Sequence, residues 1–149
     1  MKWTEARLQR LFRYYNTRYW QGKLPEYRVL VKRLRWKYGD CNKRRRRIRI
    51  SVAYRSDREV RATLLHEMCH AAHRWIAGKD HHGDPFYRQM MTRCPQWFVD
   101  DEYRKWFGMP QKTWMLKNWS VFASSRAEVA EMFAEGRSRK RRKTTKGGQ

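Results

Sequence analysis

Thr63-Leu64-Leu65-His66-Glu67-Met68-Cys69-His70-Ala71 decides how this chain is read. At about 100° per residue, His66 and His70 stand about 40° apart on one helical face and one turn apart along the axis. Two imidazoles so placed can share one metal ion. The opposite face carries Val60, Leu64, Met68, Ala71 and Trp75, so the helix can bury one side and offer the other to a cleft. Glu67 is turned from His66 by one residue's rotation, where its carboxylate reaches a water beside the ion without being a ligand, as a general base should. All five histidines lie between His66 and His82. With five His and eight Glu in 149 residues, one HExxH arises by chance about once in a hundred such chains, so the cluster is read as chemistry.

Working outward, Ser56-Asp57-Arg58-Glu59 is a capping box that opens this helix, and Gly78 is expected to end it after Ala77. A catalytic zinc wants a third protein ligand and an open position. His73 shares the stripe, but seven residues of helix separate it from His66 by roughly 10 Å. The longer motif with Gly at 73 and His at 76 is absent, since His73 and Ile76 stand there. The third ligand is therefore expected beyond the helix, in His81-His82-Gly83-Asp84-Pro85-Phe86. His82 is the first choice, with His81, Asp84 and the later Glu102 as competitors. Asp84-Pro85 reads as an N-cap followed by proline at the first helical position, with a helix to about Arg93.

Further out, Thr4 caps a helix to about Tyr19, with Leu8, Leu11, Phe12, Tyr15 and Tyr19 on one face and Gly22 as the stop. Tyr27–Trp36 and Arg47–Ala53 read as strands, the first with a bulge near Lys32-Arg33. Between them a turn holds Gly39, Asp40, Asn42 and the run Arg44-Arg45-Arg46-Arg47, with room for a short third strand. Residues 96–119 are aromatic without a clear period and read as mixed short elements. Ser125-Arg126-Ala127-Glu128 is a second capping box, for a last helix ending at Gly136. Residues 137–149 carry seven basic side chains and no acidic one, the composition of a disordered tail. The class is α+β, a small sheet packed on the HExxH helix. The expected division is a domain over 1–122, a helix over 123–136 and the tail.

Composition excludes several classes. Lys and Arg exceed Asp and Glu by 22, with a pI near 10.7, so a polyanion is the expected partner. No run approaches the roughly 18–20 apolar residues of a membrane span, and the N-terminus lacks a signal peptide's apolar stretch. Cys41, Cys69 and Cys94 are odd in number and widely spaced, which argues against a disulfide scaffold or zinc ribbon and for a reducing compartment. Cys69 and Cys94 are expected as buried thiols, and Trp75, Trp97 and Trp106 as core. Trp36 and Tyr38, near the arginine run, are the best candidates for stacking on single-stranded nucleic acid.

The chain resembles the SprT-like zinc metalloproteases, which include the Spartan proteases. Gly22-Lys23-Leu24-Pro25, Tyr38-Gly39-Asp40-Cys41, Arg47-Ile48-Arg49-Ile50-Ser51, the HEMCHA stretch and His82-Gly83-Asp84-Pro85-Phe86 carry the likeness, over roughly residues 8 to 107. The resemblance implies a compact zincin-like domain with His66, His70 and His82 as zinc ligands and Glu67 as the catalytic base. It also implies action on proteins near or crosslinked to DNA. Many relatives append a four-cysteine zinc ribbon, which this sequence lacks, and residues beyond about 110 find no counterpart. A smaller family of bacterial metal-dependent hydrolases shares the HExxH-then-His layout.

The expectation is thus a zinc-dependent endopeptidase, monomeric and cytoplasmic, associated with the nucleoid (or nuclear in a eukaryotic host). It would bind DNA, single strands included, or RNA through Arg44, Arg45, Arg46, Arg47, Arg139, Lys140, Arg141, Arg142 and Lys143, and no membrane. A substrate peptide would add to a sheet edge, for which Arg47–Ser51 is the candidate strand. Arg74, His73, His81 and Tyr87 are the candidate oxyanion partners. The competing readings are a nucleic-acid-binding protein that retains a zinc site with little activity, and a metal-dependent nuclease.

Overall fold

The computed structural model describes residues 2–73, 82–121 and 123–134. The described residues form an α+β chain of two compact units, Met1–Pro95 and Gln96–Gln149. The expected basic tail, with Arg139, Lys140, Arg141, Arg142 and Lys143, lies outside the described residues, as do Arg74, Trp75 and His81.

The first unit runs α1 (Glu5–Trp20), β1 (Arg28–Val31), β2 (Gly39–Asn42), β3 (Arg47–Ile50), α2 (Asp57–Ala72) and α3 (Asp84–Arg93). Thr4 Oγ1 accepts from Arg7 N at 3.1 Å to open α1, and Gln21 and Gly22, both at positive φ, close it. The face carrying Leu8, Phe12 and Tyr15 is buried, as the apolar period requires.

The sheet order is β1-β3-β2, with β1 parallel and β2 antiparallel to β3. This corrects one expectation. Arg47–Ser51 is no edge: β3 is the central strand. The short third strand for which the turn left room is Gly39–Asn42, which pairs with β3 from Gly39↔Ile50 to Asn42↔Arg47 and forms the edge. The bulged strand to Trp36 is corrected too. β1 ends at Val31, since β3 offers four residues to pair with, and Trp36 turns out at φ 65° and 99% exposure.

The outer edge of β1 is closed by side chains of α1. Gln9 donates to Tyr27 O at 2.9 Å and accepts from Val29 N at 2.9 Å, imitating a neighbouring strand. Glu5 accepts from Val31 N at 3.3 Å. Val29, Ile48 and Ile50 are buried, and α2 packs on β2 and β3.

α2 opens as expected, with Ser56 Oγ accepting from Glu59 N at 3.2 Å and Glu59 accepting from Ser56 N at 2.7 Å. It ends at Ala72, five residues before the expected stop. His73 takes extended backbone while its N–H still reaches Cys69 O at 3.2 Å. The His73 ring lies beside that of His70, their centroids 5.6 Å apart. α3 is capped by Gly83, one residue before the expected Asp84, and Pro85 sits in its first turn. Cys69 and Cys94, both buried, bring their Sγ atoms to 3.4 Å and join α2 to the end of α3.

In the second unit the stretch read as irregular folds into α4 (Gln96–Phe107) and α5 (Gln111–Lys117), then a 3-10 turn (Trp119–Val121). α4 buries Phe98, Val99, Glu102 and Tyr103. Trp97 and Trp106 are half-buried, where core was expected. Gln96 and Asp100 bond to Gln111, and Trp114 packs on Tyr103 and Phe107 at 5.7 and 4.8 Å. Residues 126–134 are helical, with Ser125 Oγ accepting from Glu128 N at 3.1 Å. Glu128 accepts in turn from Ser124 N at 2.7 Å and Ser124 Oγ at 2.5 Å. No helix among the described residues is long and apolar enough to cross a membrane.

Candidate metal centre

α2 supplies His66 and His70 one turn apart, and the residue before the α3 N-cap supplies His82. Their Nε2 atoms form a triangle of 3.0 Å (His66–His82), 3.2 Å (His70–His82) and 3.2 Å (His66–His70). Each ring nitrogen has one in-plane position, either a proton or a lone pair. Three such nitrogens at these mutual distances suit a single cation facing three lone pairs. Imidazoles about 2.0–2.1 Å from a tetrahedral zinc would have nitrogens about 3.3 Å apart, close to the distances seen. The donor set fits a metal ion of that kind, and these three residues are the grouping found among the described residues.

The competitors of His82 resolve in part. His81 lies outside the described residues, the Asp84 side chain is likewise undescribed, and Glu102 is buried in the second unit. Phe86 packs beneath the triangle, its ring centroid 4.8, 4.6 and 5.1 Å from those of His66, His70 and His82. It is fully buried, and it stands four residues after His82 because Gly83 starts α3, with its carbonyl accepting from Phe86 N at 3.0 Å. Sequence reasoning gave Phe86 no role. Its signal was the apolar residue in the first turn after the histidine.

His73 is 7% exposed, and its Nε2 lies 3.4 Å from His70 Nδ1. It is therefore placed to orient the His70 ring. Glu67 is buried at 6% exposure, beside β2. A Cβ built on Gly39 would lie 3.1 Å from Glu67 Oε1 and 2.7 Å from Thr63 Cγ2, so only glycine lets the strand approach this closely. Cys41, two residues along the same strand, has its thiol pushed up to about 12, first by burial and then by the Glu67 charge. Asp40 faces the other side, bound by Arg49 at 2.9 and 3.1 Å and by Lys37 at 2.9 Å. Those cations hold its carboxyl below the usual carboxylate range.

Ser51 N donates to Tyr38 O at 2.8 Å. By antiparallel alternation, that makes 40↔49 and 42↔47 the hydrogen-bonded pairs and turns the amides of Gly39 and Cys41 outward. The open edge of the sheet thus passes directly over the acid.

Of the basic residues singled out, Arg44, Arg45 and Arg46 are exposed on the β2–β3 turn, while Arg47 begins β3 and is half-buried. Trp36 and Tyr54 are essentially fully exposed, both at positive φ, and Tyr38 is 59% exposed under the Arg55 guanidinium at 4.2 Å. Tyr54 drew no attention in the sequence.

A model of the SprT-like family matches residues 8–113, most of the chain. No curated protein and no solved structure is found to match it. The chain belongs to the SprT-like family.

Proposed function

We propose that this protein is a zinc-dependent endopeptidase acting on proteins held on DNA. The observation that carries the hydrolytic part is the convergence of three Nε2 atoms within 3.2 Å of one another on the turn of α2 that also holds the buried Glu67. His66, His70 and His82 hold the ion, which when bound polarises a carbonyl and acidifies water. Glu67 takes a proton from the attacking water and passes it to the departing amine. His73 accepts from His70 Nδ1 and fixes the tautomer that leaves Nε2 free to ligate. An extended substrate adds antiparallel to the outward amides of β2, which sets its backbone above Glu67.

The nucleic-acid part rests on the charge of +22, on the exposed Arg44–Arg46 at the β2–β3 turn, and on Trp36, Tyr38 and Tyr54 exposed at the opposite end of that hairpin, where the Arg55 guanidinium lies 4.2 Å over Tyr38. Trp36 and Tyr54 are held in left-handed backbone and in water at a cost in free energy, as expected of rings kept exposed for bases to stack on.

The test is to incubate zinc-loaded wild type and Glu67→Gln with a DNA-tethered protein and with bare DNA. Loss of peptide cleavage in the variant, with DNA intact, supports the reading. Intact protein with cut DNA would make it a nuclease, and tight salt-sensitive binding without turnover would make it a binder.

A further inference from the structure

On the far side of α2 from the imidazoles, Trp3, Arg7, Arg10, Leu11, Tyr14 and Arg61 line an open hollow of about 250 Å³. Arg61 precedes His66 by five residues and His70 by nine, which at about 100° per residue turns it about 140° and 180° away from them. We infer that this hollow is a second binding site, which takes a backbone phosphate of single-stranded nucleic acid with a neighbouring base stacked on Tyr14. The inference rests on the nucleic-acid part of the proposed function and is independent of hydrolysis.

Three guanidiniums border the hollow. Arg7 lies over the Trp3 ring, its Cζ 3.8 Å from the centroid, and Arg61 approaches the same ring at 5.4 Å. Asp57 fixes this arrangement, accepting from Trp3 Nε1 at 2.9 Å and pairing with Arg7 Nη2 at 3.4 Å. Arg61 is steadied by a hydrogen bond with the Tyr15 hydroxyl. Arg10 is exposed at the rim, one helical turn from Tyr14, which is 54% exposed. One carboxylate against three guanidiniums leaves the hollow strongly positive.

Arg7 Nη1 is buried with no acceptor among the described residues, an unspent donor beneath the hollow. Planar guanidinium forks held in place by an indole and a carboxylate suit the tetrahedral oxygens of a phosphate. An exposed tyrosine beside them gives the sequence-tolerant stacking that single strands use.

The experiment measures anisotropy of a labelled 20-nucleotide oligothymidylate over a salt series, using the zinc-loaded full chain. Wild type is compared with Arg10→Glu, Arg10→Gln and a control reversal of an exposed arginine elsewhere, Arg126→Glu. The expected result is that Arg10→Glu weakens binding about five- to tenfold and lowers the salt slope by about 0.7 per lost phosphate contact. Arg10→Gln should fall between wild type and Arg10→Glu, and Arg126→Glu should stay near wild type. A 4-thiothymidine strand should photo-crosslink to Trp3 or Tyr14, and hydrolysis of a short peptide should not change in the Arg10 variants. Equal effects of the Arg10 and Arg126 reversals with crosslinks mapping only elsewhere would overturn the inference. So would displacement by polyglutamate as effective as that by the oligonucleotide. Absence of peptide hydrolysis in every protein, with the binding pattern intact, would sink the protease reading and leave this site standing.

Discussion

Gly39 and Glu67 touch across the gap between β2 and α2: a methyl on the glycine would stand 3.1 Å from the carboxylate oxygen and 2.7 Å from Thr63 Cγ2. Gly39→Ala should therefore cost about 1–3 kcal/mol through overpacking and displace the acid. Thr63→Ser removes the closer obstacle while keeping the hydroxyl that accepts from Arg55 Nη2 at 2.6 Å. In the double variant the melting temperature should recover while peptide hydrolysis stays low, because the contact with Glu67 remains. Recovery of both together would show that the glycine serves packing alone.

Metal binding should raise stability. A ligand bound only by the folded state at a hundred times its dissociation constant adds about 2.7 kcal/mol. Thermal melts with and without added zinc should show this rise in wild type and lose it in His82→Ala and His66→Ala. A chelator should return wild type to the melting temperature of the metal-free protein.

His73→Ala should lower zinc affinity about 10–100-fold, the usual effect of removing the partner of a ligating imidazole, and leave the fold assembled. Competition against a colorimetric chelator measures this. An unchanged affinity would mean that the 3.4 Å approach to His70 orients nothing.

Asp40 provides a pH signature. Its carboxyl is depressed on folding by Arg49 first and Lys37 next. It therefore stabilises the fold above its unfolded pKa, near 4, and that contribution is lost as pH falls through the lower folded value. Asp40→Asn should cost about 1–3 kcal/mol at neutral pH, and the difference from wild type should shrink below about pH 4. Urea melts at pH 7 and pH 3 check the sign.

Cys41, with its thiol pushed up to about 12, should resist iodoacetamide at pH 8 in the folded protein and react once urea unfolds it. Rapid labelling under native conditions would contradict the shielding of this thiol.

What the sequence revealed was local. The opening of α2 was legible because Ser56 and Glu59 cap one another within four residues, and the imidazole pair because helical phase is arithmetic. β2 was not, because Gly39-Asp40-Cys41-Asn42 has little strand propensity. Pairing with β3 and contact with α2 make it a strand. The early end of α2 was hidden because nothing in His70-Ala71-Ala72-His73 signals a stop, whereas Gly78 does. α4 was obscured by aromatic residues on every side. Its buried set, Phe98, Val99, Glu102 and Tyr103, shows a helical period only once Trp97, Trp106 and Phe107 are known to lie partly in solvent. The choice of His82 came from chain geometry and resemblance, while its meeting with two other rings depends on how α3 docks on α2.

Gln9 and Glu5 occupy the amides on the β1 flank, so a copy of this protein, or any stray extended chain, finds no purchase there. Among the described residues the other flank lacks that guard, and it is the one lying over Glu67. Under the proposed function, self-association and substrate capture would compete for the same four residues. A charge or proline placed on β2 to keep the molecules apart in a concentrated solution would then blunt hydrolysis as well.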